Sequence, residues 1–228
     1  MFLTSLFWIV PLILIGALIF GGVAIGTRRE PDPTGRRPYA IYLLTVLFLA
    51  ILGGLTALPG IGMETVDLIV HESDEPSEIG LSGGDEFVQA FYPEDVRAQD
   101  ASALLAYVVV LGVSGALFLW HRRRLTELMG EASFSGSPSE RTYTSSLYLT
   151  SFTALIIGVT AAVSAVLALG DIIAPGTLAS GPSSFVRDAA YAQLVSSLLG
   201  IAISYLVLRN HWIEAERLRG TAPTTAAA

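Results

Sequence analysis

The chain has no cysteine and no lysine, and only 14% of its 228 residues are charged. Without cysteine, the chain cannot form disulfide bonds, thiolate-bound zinc sites or cysteine-ligated iron–sulfur clusters. Soluble domains carry about 25% charged residues, whereas this chain is 52% hydrophobic with a mean hydropathy of +0.61. The composition therefore predicts a polytopic α-helical membrane protein.

Ionisable residues are also absent from the interiors of the long apolar segments. A bilayer core of about 30 Å requires roughly 20 apolar residues as a helix. Five segments meet that length, at about residues 3–25, 39–58, 102–120, 145–169 and 190–208. Transporters and proton pumps usually hold ionisable residues within their spans, and no nucleotide-binding loop or nucleophile motif is present. The sequence gives no support for catalysis, and no catalytic residue or cofactor is predicted.

Arginine is distributed unequally between the loops on the two sides of these segments. Eleven arginines fall on one side: Arg28, Arg29, Arg36, Arg37, Arg122, Arg123, Arg124, Arg141, Arg209, Arg217 and Arg219. Only Arg97 and Arg187 fall on the other side. Because arginine and lysine accumulate in cytoplasmic loops, we expect a plasma-membrane protein with its N-terminus outside and its C-terminus in the cytoplasm. The opposite side carries a long acidic loop, predicted at residues 59–100.

The sequence predicts that the same helical hairpin occurs twice in the chain. Superposing 37–58 on 141–162 without gaps gives eight identities, among them Arg37/Arg141, Tyr39/Tyr143 and Gly54/Gly158. Both copies start and end on the arginine-rich side, which predicts parallel repeats about an axis along the membrane normal. The expected fold is all-α, with five transmembrane helices: one leading helix and two hairpins that form a four-helix bundle.

This hypothesis divides the chain into five parts. They are a leading helix with its inner loop at 1–36, a first hairpin at 37–129 with the acidic outer loop, an inner linker at 130–140, a second hairpin at 141–219, and a disordered tail at 220–228.

Small residues at four-residue spacing predict where the helices pack. Close backbone approach stabilises helix pairs in lipid, where small side chains permit it. The predicted contact positions are Ala50, Gly54, Ala154, Gly158, Ser196, Gly200 and Ser204.

Two histidines end the second helix of each predicted hairpin. If the repeat axis brings His121 and His211 together, their imidazoles could ligate one haem or metal ion. The simpler interpretation is interfacial anchoring, because Trp and His suit the headgroup level and a histidine near a helix C-terminus is favoured by the helix dipole. A haem is thus the one cofactor for which the sequence offers candidate ligands.

A second group of residues marks the same predicted side of the membrane. It consists of Arg37, Tyr39, Arg141 and Tyr143, with Arg122 and Arg123 nearby in the sequence. These residues either anchor the helix ends, with arginine snorkelling to the surface, or form, together with His121 and His211, a basic inner pocket for a phosphate-bearing lipid or ligand. Anionic phospholipid at the inner face and other membrane-complex subunits are the expected partners. Nucleic acid is not expected, because the arginines lack interleaved aromatic residues.

At Arg37-Pro-Tyr39 with His121, and at Arg141-Thr-Tyr143 with His211-Trp212, the chain resembles an uncharacterised prokaryotic multi-helix membrane domain family, catalogued as domain of unknown function 5671. The resemblance covers about residues 37–217 and implies repeated helical hairpins. The long acidic loop departs from it, and it implies no activity.

Three functional hypotheses remain open at this point. The first is a non-enzymatic accessory or scaffold subunit that binds lipid or partner proteins. The second is a haem- or metal-binding electron-transfer subunit that uses the two histidines. The third is a small-solute channel or carrier along the repeat axis.

Overall fold

A computed structural model describes residues 31–73, 94–175 and 183–220. These residues form four α-helices and no strand, so the all-α class is confirmed for this part of the chain. The helices are α1 (Arg37–Ser73), α2 (Glu94–Met129), α3 (Pro138–Ile173) and α4 (Ser183–Gly220). The predicted leading helix at 3–25 lies outside the described residues, as does the tail from residue 221 onward.

Each helix is longer than its predicted span. The four helices contain 36 to 38 residues, which at 1.5 Å per residue is about 54–57 Å. All four are long and apolar enough to cross a membrane, whose hydrocarbon core is about 30 Å thick. The hydropathy pattern located only the apolar middle of each helix, because the ends are polar while their backbone stays helical.

The predicted limits of the acidic loop, 59–100, are wrong. Helix α1 continues through Pro59 to Ser73, and α2 already begins at Glu94. A proline lacks the N–H that would bond the carbonyl four residues earlier. Ending a helix in apolar surroundings would leave several backbone groups without partners, so a single missing bond is the smaller loss. Residues 74–93, which hold much of the acidic sequence, lie outside the described residues.

The start of α3 is fixed by Ser137 as its N-cap, and the Glu140 side chain bonds back to the residue before it. The backbone N–H of Glu140 donates to the Ser137 hydroxyl at 3.3 Å, and the Glu140 carboxylate accepts from the N–H of Gly136 at 2.5 Å. Pro138 suits the first helical position because it has no N–H to satisfy there. Gly136 adopts a φ of 73°, which favours glycine. The predicted linker 130–140 therefore ends at Ser137, three residues early.

The chain forms two compact units, and neither corresponds to a predicted hairpin. Parts of all four helices contribute to each unit. The first unit, which we call the arginine-rich unit, comprises the described residues of Met1–Leu55, Gly112–Ile157 and Ile203–Ala228. The second, the arginine-poor unit, comprises those of Thr56–Leu111 and Gly158–Ala202.

The arginine-rich unit has a core of large apolar side chains centred on α1. The buried α1 residues recur at helical spacing: Ala40, Leu43, Leu44, Leu47, Phe48 and Leu52. They pack with Leu125 and Leu128 of α2, with Tyr143 and Leu147 of α3, and with Ala215 of α4. This spacing buries one continuous stripe of α1 against the other three helices.

The arginine-poor unit packs through small residues instead. A Cβ added to Gly60 would lie 2.6 Å from the Tyr107 ring, and one added to Gly62 would collide with Leu199. One added to Gly200 would lie 3.2 Å from the Ala161 Cβ. Gly200, one of the predicted packing positions, therefore lies at a close helix contact, whereas Gly60 and Gly62 were missed because they fall in the sequence assigned to the loop.

The other predicted packing positions vary in their surroundings. Ala50, Ala154 and Ser204 are buried, and Gly158 and Ser196 are half-buried. Gly54 is a correction, because among the described residues nothing lies within 4 Å of where its Cβ would be. Its spacing from Ala50 indicated a face of α1, but the spacing could not say whether another helix approaches that face.

A buried carboxylate on α1 is a further departure from the sequence prediction. Glu64 is only 7% exposed, although it lies in a helix whose apolar span was predicted to end at residue 58. It is 27 residues from Arg37, or about 40 Å along the helix. The residues between Arg37 and Glu64 include no charged side chain, so the apolar middle of α1 carries no charge.

We predict that Gly60→Val destabilises the protein, because the added methyl groups overlap the Tyr107 ring. Overpacking of this kind costs about 1–3 kcal/mol. Gly112→Val is the control, since a Cβ there meets nothing within 4 Å among the described residues. Unfolding in detergent, followed by tryptophan fluorescence, would show a lower midpoint for the first variant only. Equal midpoints for the two variants would contradict this packing.

Candidate functional site

The residues that the sequence singled out come together in the arginine-rich unit. The most enclosed of them is His121, which lies about two turns before the C-terminal end of α2 and is 2% exposed. Its Nδ1 lies 2.8 Å from the Leu117 carbonyl oxygen, four residues earlier in the same helix. A carbonyl can only accept, so Nδ1 carries the proton and donates it.

Helix α1 supplies the second partner of His121. The Tyr42 hydroxyl lies 3.2 Å from His121 Nε2. With the proton on Nδ1, the neutral ring accepts at Nε2, so Tyr42 donates. The ring also contacts Trp120 edge-on, with 4.7 Å between centroids. Both nitrogens of His121 are thus engaged, and ligation of a haem or metal ion would require Tyr42 to release Nε2.

His211 on α4 makes the same hydrogen bond to its own helix as His121 does. Its Nδ1 donates to the Val207 carbonyl at 2.9 Å, again four residues earlier in the helix. Unlike His121, it is half-buried and lines an open crevice. The two histidines share a local geometry that the predicted duplication would produce, and the duplication itself stays a prediction.

A carboxylate joins three helices beside this crevice. The Tyr143 hydroxyl of α3, which is buried, donates to Glu214 of α4. Arg122 of α2 lies 3.8 Å from the other Glu214 oxygen, which is an ion pair but is longer than a hydrogen bond. Tyr143 and Arg122 therefore hold the Glu214 carboxylate from two other helices.

The crevice is small and is lined by both apolar and polar side chains. Its volume is about 20 Å³, room for about one water molecule. Its walls include Leu44, Leu47, Phe48, Ile51, Phe118 and Leu147, and its polar lining comprises Arg122, Tyr143, Ser146, Thr150 and His211. The sequence placed Arg122, Tyr143 and His211 on one side of the membrane as candidates for a basic pocket, and the structure shows all three lining one crevice.

The two hydroxyl residues in the crevice bond their own helix. Ser146 donates to the Tyr143 carbonyl at 2.7 Å, and Thr150 donates to the Ser146 carbonyl at 2.8 Å. Their hydrogens are thus used within α3. These two side chains therefore have no hydroxyl hydrogen left to donate into the crevice. This makes their part of the crevice less polar than the sequence suggests.

The remaining predicted site residues are spread along the same helix ends. Arg37 is buried at the start of α1, and its backbone N–H donates to Asp32 at 3.0 Å. Tyr39 is exposed and stacks beside Tyr42, with 6.4 Å between centroids. Arg141 is exposed in the first turn of α3. These residues do not line the crevice, so the single basic pocket that the sequence suggested divides into a crevice and separate helix-end positions.

The arginine run on α2 is largely exposed. Arg123, 83% exposed, lies 3.5 Å from Glu127, and Arg124 bonds the same carboxylate at 3.1 Å. Arg124 also lies over the Trp120 ring at 5.8 Å from its centroid. One carboxylate shared by two guanidinium groups leaves a net positive charge on this surface.

Sequence reasoning missed Tyr42 and Glu214, both of which bond predicted site residues. Tyr42 lies one helical turn after Tyr39, within an apolar run that gave no reason to single it out. Glu214 lies one turn after His211, beyond the predicted end of the last span. A longer helix at this position would have placed Glu214 on the same face as His211.

No family model matches the sequence, and comparisons with curated proteins and with solved structures give no significant match. The resemblance to the domain of unknown function 5671 therefore stays a prediction. The function has to be argued from the residues themselves.

We predict that Tyr42→Phe destabilises the protein by about 1–3 kcal/mol, because it leaves the buried His121 Nε2 without a donor. Tyr39→Phe is the matched control, since its ring is exposed nearby and its hydroxyl makes no hydrogen bond within the described residues. Chemical unfolding in detergent measures both variants. If Tyr42→Phe behaves like Tyr39→Phe, the hydrogen bond to His121 contributes nothing to stability.

Acid is expected to loosen the start of α1. Hydrogen bonds from the Arg37 backbone N–H and the Thr34 hydroxyl hold the pKa of Asp32 below its usual 3.8. Because this pKa is lowered in the folded state, the stabilisation is fully present above 3.8 and is lost as pH falls through the lower folded value. Hydrogen-exchange protection of the Arg37 amide should fall over that range. Protection of the Gly130 amide, which bonds the Thr126 carbonyl, should not.

Proposed function

We propose that this chain is a non-enzymatic integral membrane protein, an accessory or scaffold subunit whose arginine-rich unit associates with anionic phospholipid. The observation that carries the proposal is an abrupt change in chemistry along the exposed surface of α2. Leu119 and Trp120 are 71% and 55% exposed, and the arginine run begins two residues later. Apolar side chains exposed to this degree suit lipid tails, tryptophan suits the interface, and arginine suits lipid phosphates.

Helix α4 supports the same interpretation independently. Its exposed apolar side chains include Tyr205 and Leu206, followed by Arg209 and then by Trp212. The Trp212 ring contacts Tyr148 of α3 edge-on, with 5.6 Å between centroids. Two helices thus change from apolar to basic at a level marked by an exposed tryptophan, as expected where a bilayer surface crosses both.

The charge at this level favours anionic over neutral lipid. Each arginine near a negatively charged membrane surface contributes about 1 kcal/mol of attraction. The carboxylates of Glu127 and Glu131 offset part of this charge, since they pair with Arg124 and Arg36. Arginines outnumber acids in the described arginine-rich unit, so the surface stays positive.

The proposal includes the topology that the arginine distribution predicts. We place the arginine-rich unit at the cytoplasmic face of the plasma membrane, because basic residues accumulate there. The four described helices form two hairpins in this scheme. Within the described residues, no group of three histidine, aspartate or glutamate side chains could hold a metal ion, and no observation favours the electron-transfer or channel alternative.

The test measures which lipids the protein retains. The purified chain is reconstituted with equal amounts of phosphatidylglycerol and phosphatidylcholine, extracted gently, and its bound lipids are quantified. We expect phosphatidylglycerol to be enriched, and replacing Arg122, Arg123 and Arg124 by glutamine should lower that enrichment at least fivefold, given about 1 kcal/mol per arginine.

Arg187→Gln provides the control, since Arg187 is exposed in the arginine-poor unit. High salt should also reduce the enrichment, because it screens exposed charges. Equal retention of the two lipids by the unmodified chain would overturn the proposal. So would a triple variant that retains phosphatidylglycerol as well as the Arg187 variant does.

A further inference from the structure

We propose that the crevice of the arginine-rich unit is a binding site for one water molecule, which bridges α2 and α4. The water accepts a hydrogen bond from the Arg122 guanidinium and donates one to Nε2 of His211. Because groups of this chain alone hold it, the site does not depend on the proposed association with lipid.

The volume of the crevice decides which molecule fits. It is about 20 Å³, and a cavity needs roughly 10–15 Å³ to hold one water molecule. Pockets for organic ligands are much larger, at about 300–1,000 Å³. The crevice therefore admits a single water and excludes organic ligands.

His211 supplies an acceptor that lacks a partner. Its Nδ1 donates to the Val207 carbonyl, so Nε2 of the neutral ring can only accept. Among the described residues nothing hydrogen-bonds this nitrogen, whereas Nε2 of His121 accepts from Tyr42. Ordered water satisfies many polar groups of this kind in folded proteins. The lining of the crevice thus contains an open hydrogen-bonding position.

Three hydroxyl groups that line the crevice are acceptors as well. The Tyr143 hydroxyl donates its hydrogen to Glu214, and Ser146 and Thr150 donate theirs to carbonyls of α3. Each of these oxygens keeps lone pairs that can accept. An anion finds no donor at these groups, whereas either hydrogen of a water can bond one of them.

Arg122 provides the donor in the crevice. A guanidinium has five N–H groups and no acceptor. That of Arg122 lies 3.8 Å from Glu214, which is longer than a hydrogen bond, so an N–H group remains for the water. Its positive charge also disfavours a cation at this position. Water meets both requirements of the lining, since it accepts from the arginine and donates to the histidine at once.

The bound water gives α4 a second link to α2, beside the ion pair of Arg122 with Glu214. Its second hydrogen bonds a hydroxyl oxygen of α3, so the water contacts three helices. A buried water with about three hydrogen bonds is costly to remove. Because these bonds need the three helices at one rotational setting, the water helps to fix which face of α4 packs against α2 and α3.

Nitrogen NMR of the full-length chain tests whether Nε2 of His211 accepts a hydrogen bond. The histidine rings are labelled with nitrogen-15, and spectra are recorded in lipid nanodiscs at about pH 8, where an ordinary histidine is neutral. The chemical shift of an unprotonated ring nitrogen moves upfield when it accepts a hydrogen bond. We expect Nε2 of His211 to show the hydrogen-bonded shift, as Nε2 of His121 does. Substituting each histidine in turn assigns the signals.

Ile51→Phe distinguishes a bound water from a bond to a protein group. Ile51 lines the crevice from α1, and the larger ring occupies the space without changing the charge. Nε2 of His211 should then lose its hydrogen-bonded shift. Leu49→Phe is the matched control, because Leu49 lies on α1 but does not line the crevice. An unchanged His121 shift and an unchanged thermal unfolding midpoint show that each variant remains folded.

A double-mutant cycle tests whether Arg122 and His211 act through the same water, with Arg122→Met and His211→Phe as the single variants. The two side chains make no hydrogen bond to each other, so without a bridge their effects on the unfolding equilibrium constant multiply. We expect the double variant to deviate from the product by at least about twofold, as residues of one hydrogen-bond network do. Arg123→Met replaces Arg122→Met in the control cycle, which should show no deviation.

Three results would overturn the proposal. The first is the shift of a free acceptor at Nε2 of His211 in the unmodified chain. The second is a hydrogen-bonded shift that survives in a folded Ile51→Phe variant, which would assign the bond to a protein group. The third is a double variant whose unfolding constant equals the product of the single effects, and this result is informative even if Ile51→Phe does not fold.

Discussion

The constraint that organises this protein is that polar groups on an apolar helix must find partners within the chain. Helix α3 shows it most fully, because seven of its hydroxyl side chains donate to carbonyls of their own helix. They are Thr142, Thr144, Ser145, Ser146, Thr150, Ser151 and Thr153. Each bond uses a hydrogen that hydrocarbon could not accommodate alone. A helix that reads as polar in sequence therefore presents a surface that lipid tails and apolar side chains can contact.

The two histidines follow the same rule with different consequences. Both donate from Nδ1 to a carbonyl one turn earlier, which fixes the proton on that nitrogen. For His121 the remaining nitrogen is closed off by Tyr42 within the bundle. His211 is half-buried and lines the same crevice as Arg122. The same local bond thus accompanies a fully buried histidine in one case and a half-buried one in the other, and the difference comes from the neighbouring helices.

The two compact units achieve their packing by different means. The arginine-rich unit uses leucine and phenylalanine at helical spacing along α1, and these large side chains leave a crevice where they do not meet. The arginine-poor unit uses Gly60, Gly62 and Gly200, at which side chains of neighbouring helices come into close contact with the backbone. The unit packed by large side chains therefore contains the crevice, and the unit packed by glycines contains the close helix contacts.

The sequence by itself determined the helical class, the four apolar spans among the described residues, and the gathering of arginine, tyrosine and histidine toward one end, because each depends on local composition and spacing. It could not determine where α1 ends, since hydropathy reports the apolar middle of a helix and Pro59 reads as a stop when its surroundings are unknown. Only the tertiary structure decided that Tyr42 hydrogen-bonds His121, that Tyr143 donates to Glu214, and that Arg122 and His211 line one crevice. Those pairings join residues 71 or more positions apart in the chain, and no local pattern specifies which helix faces meet.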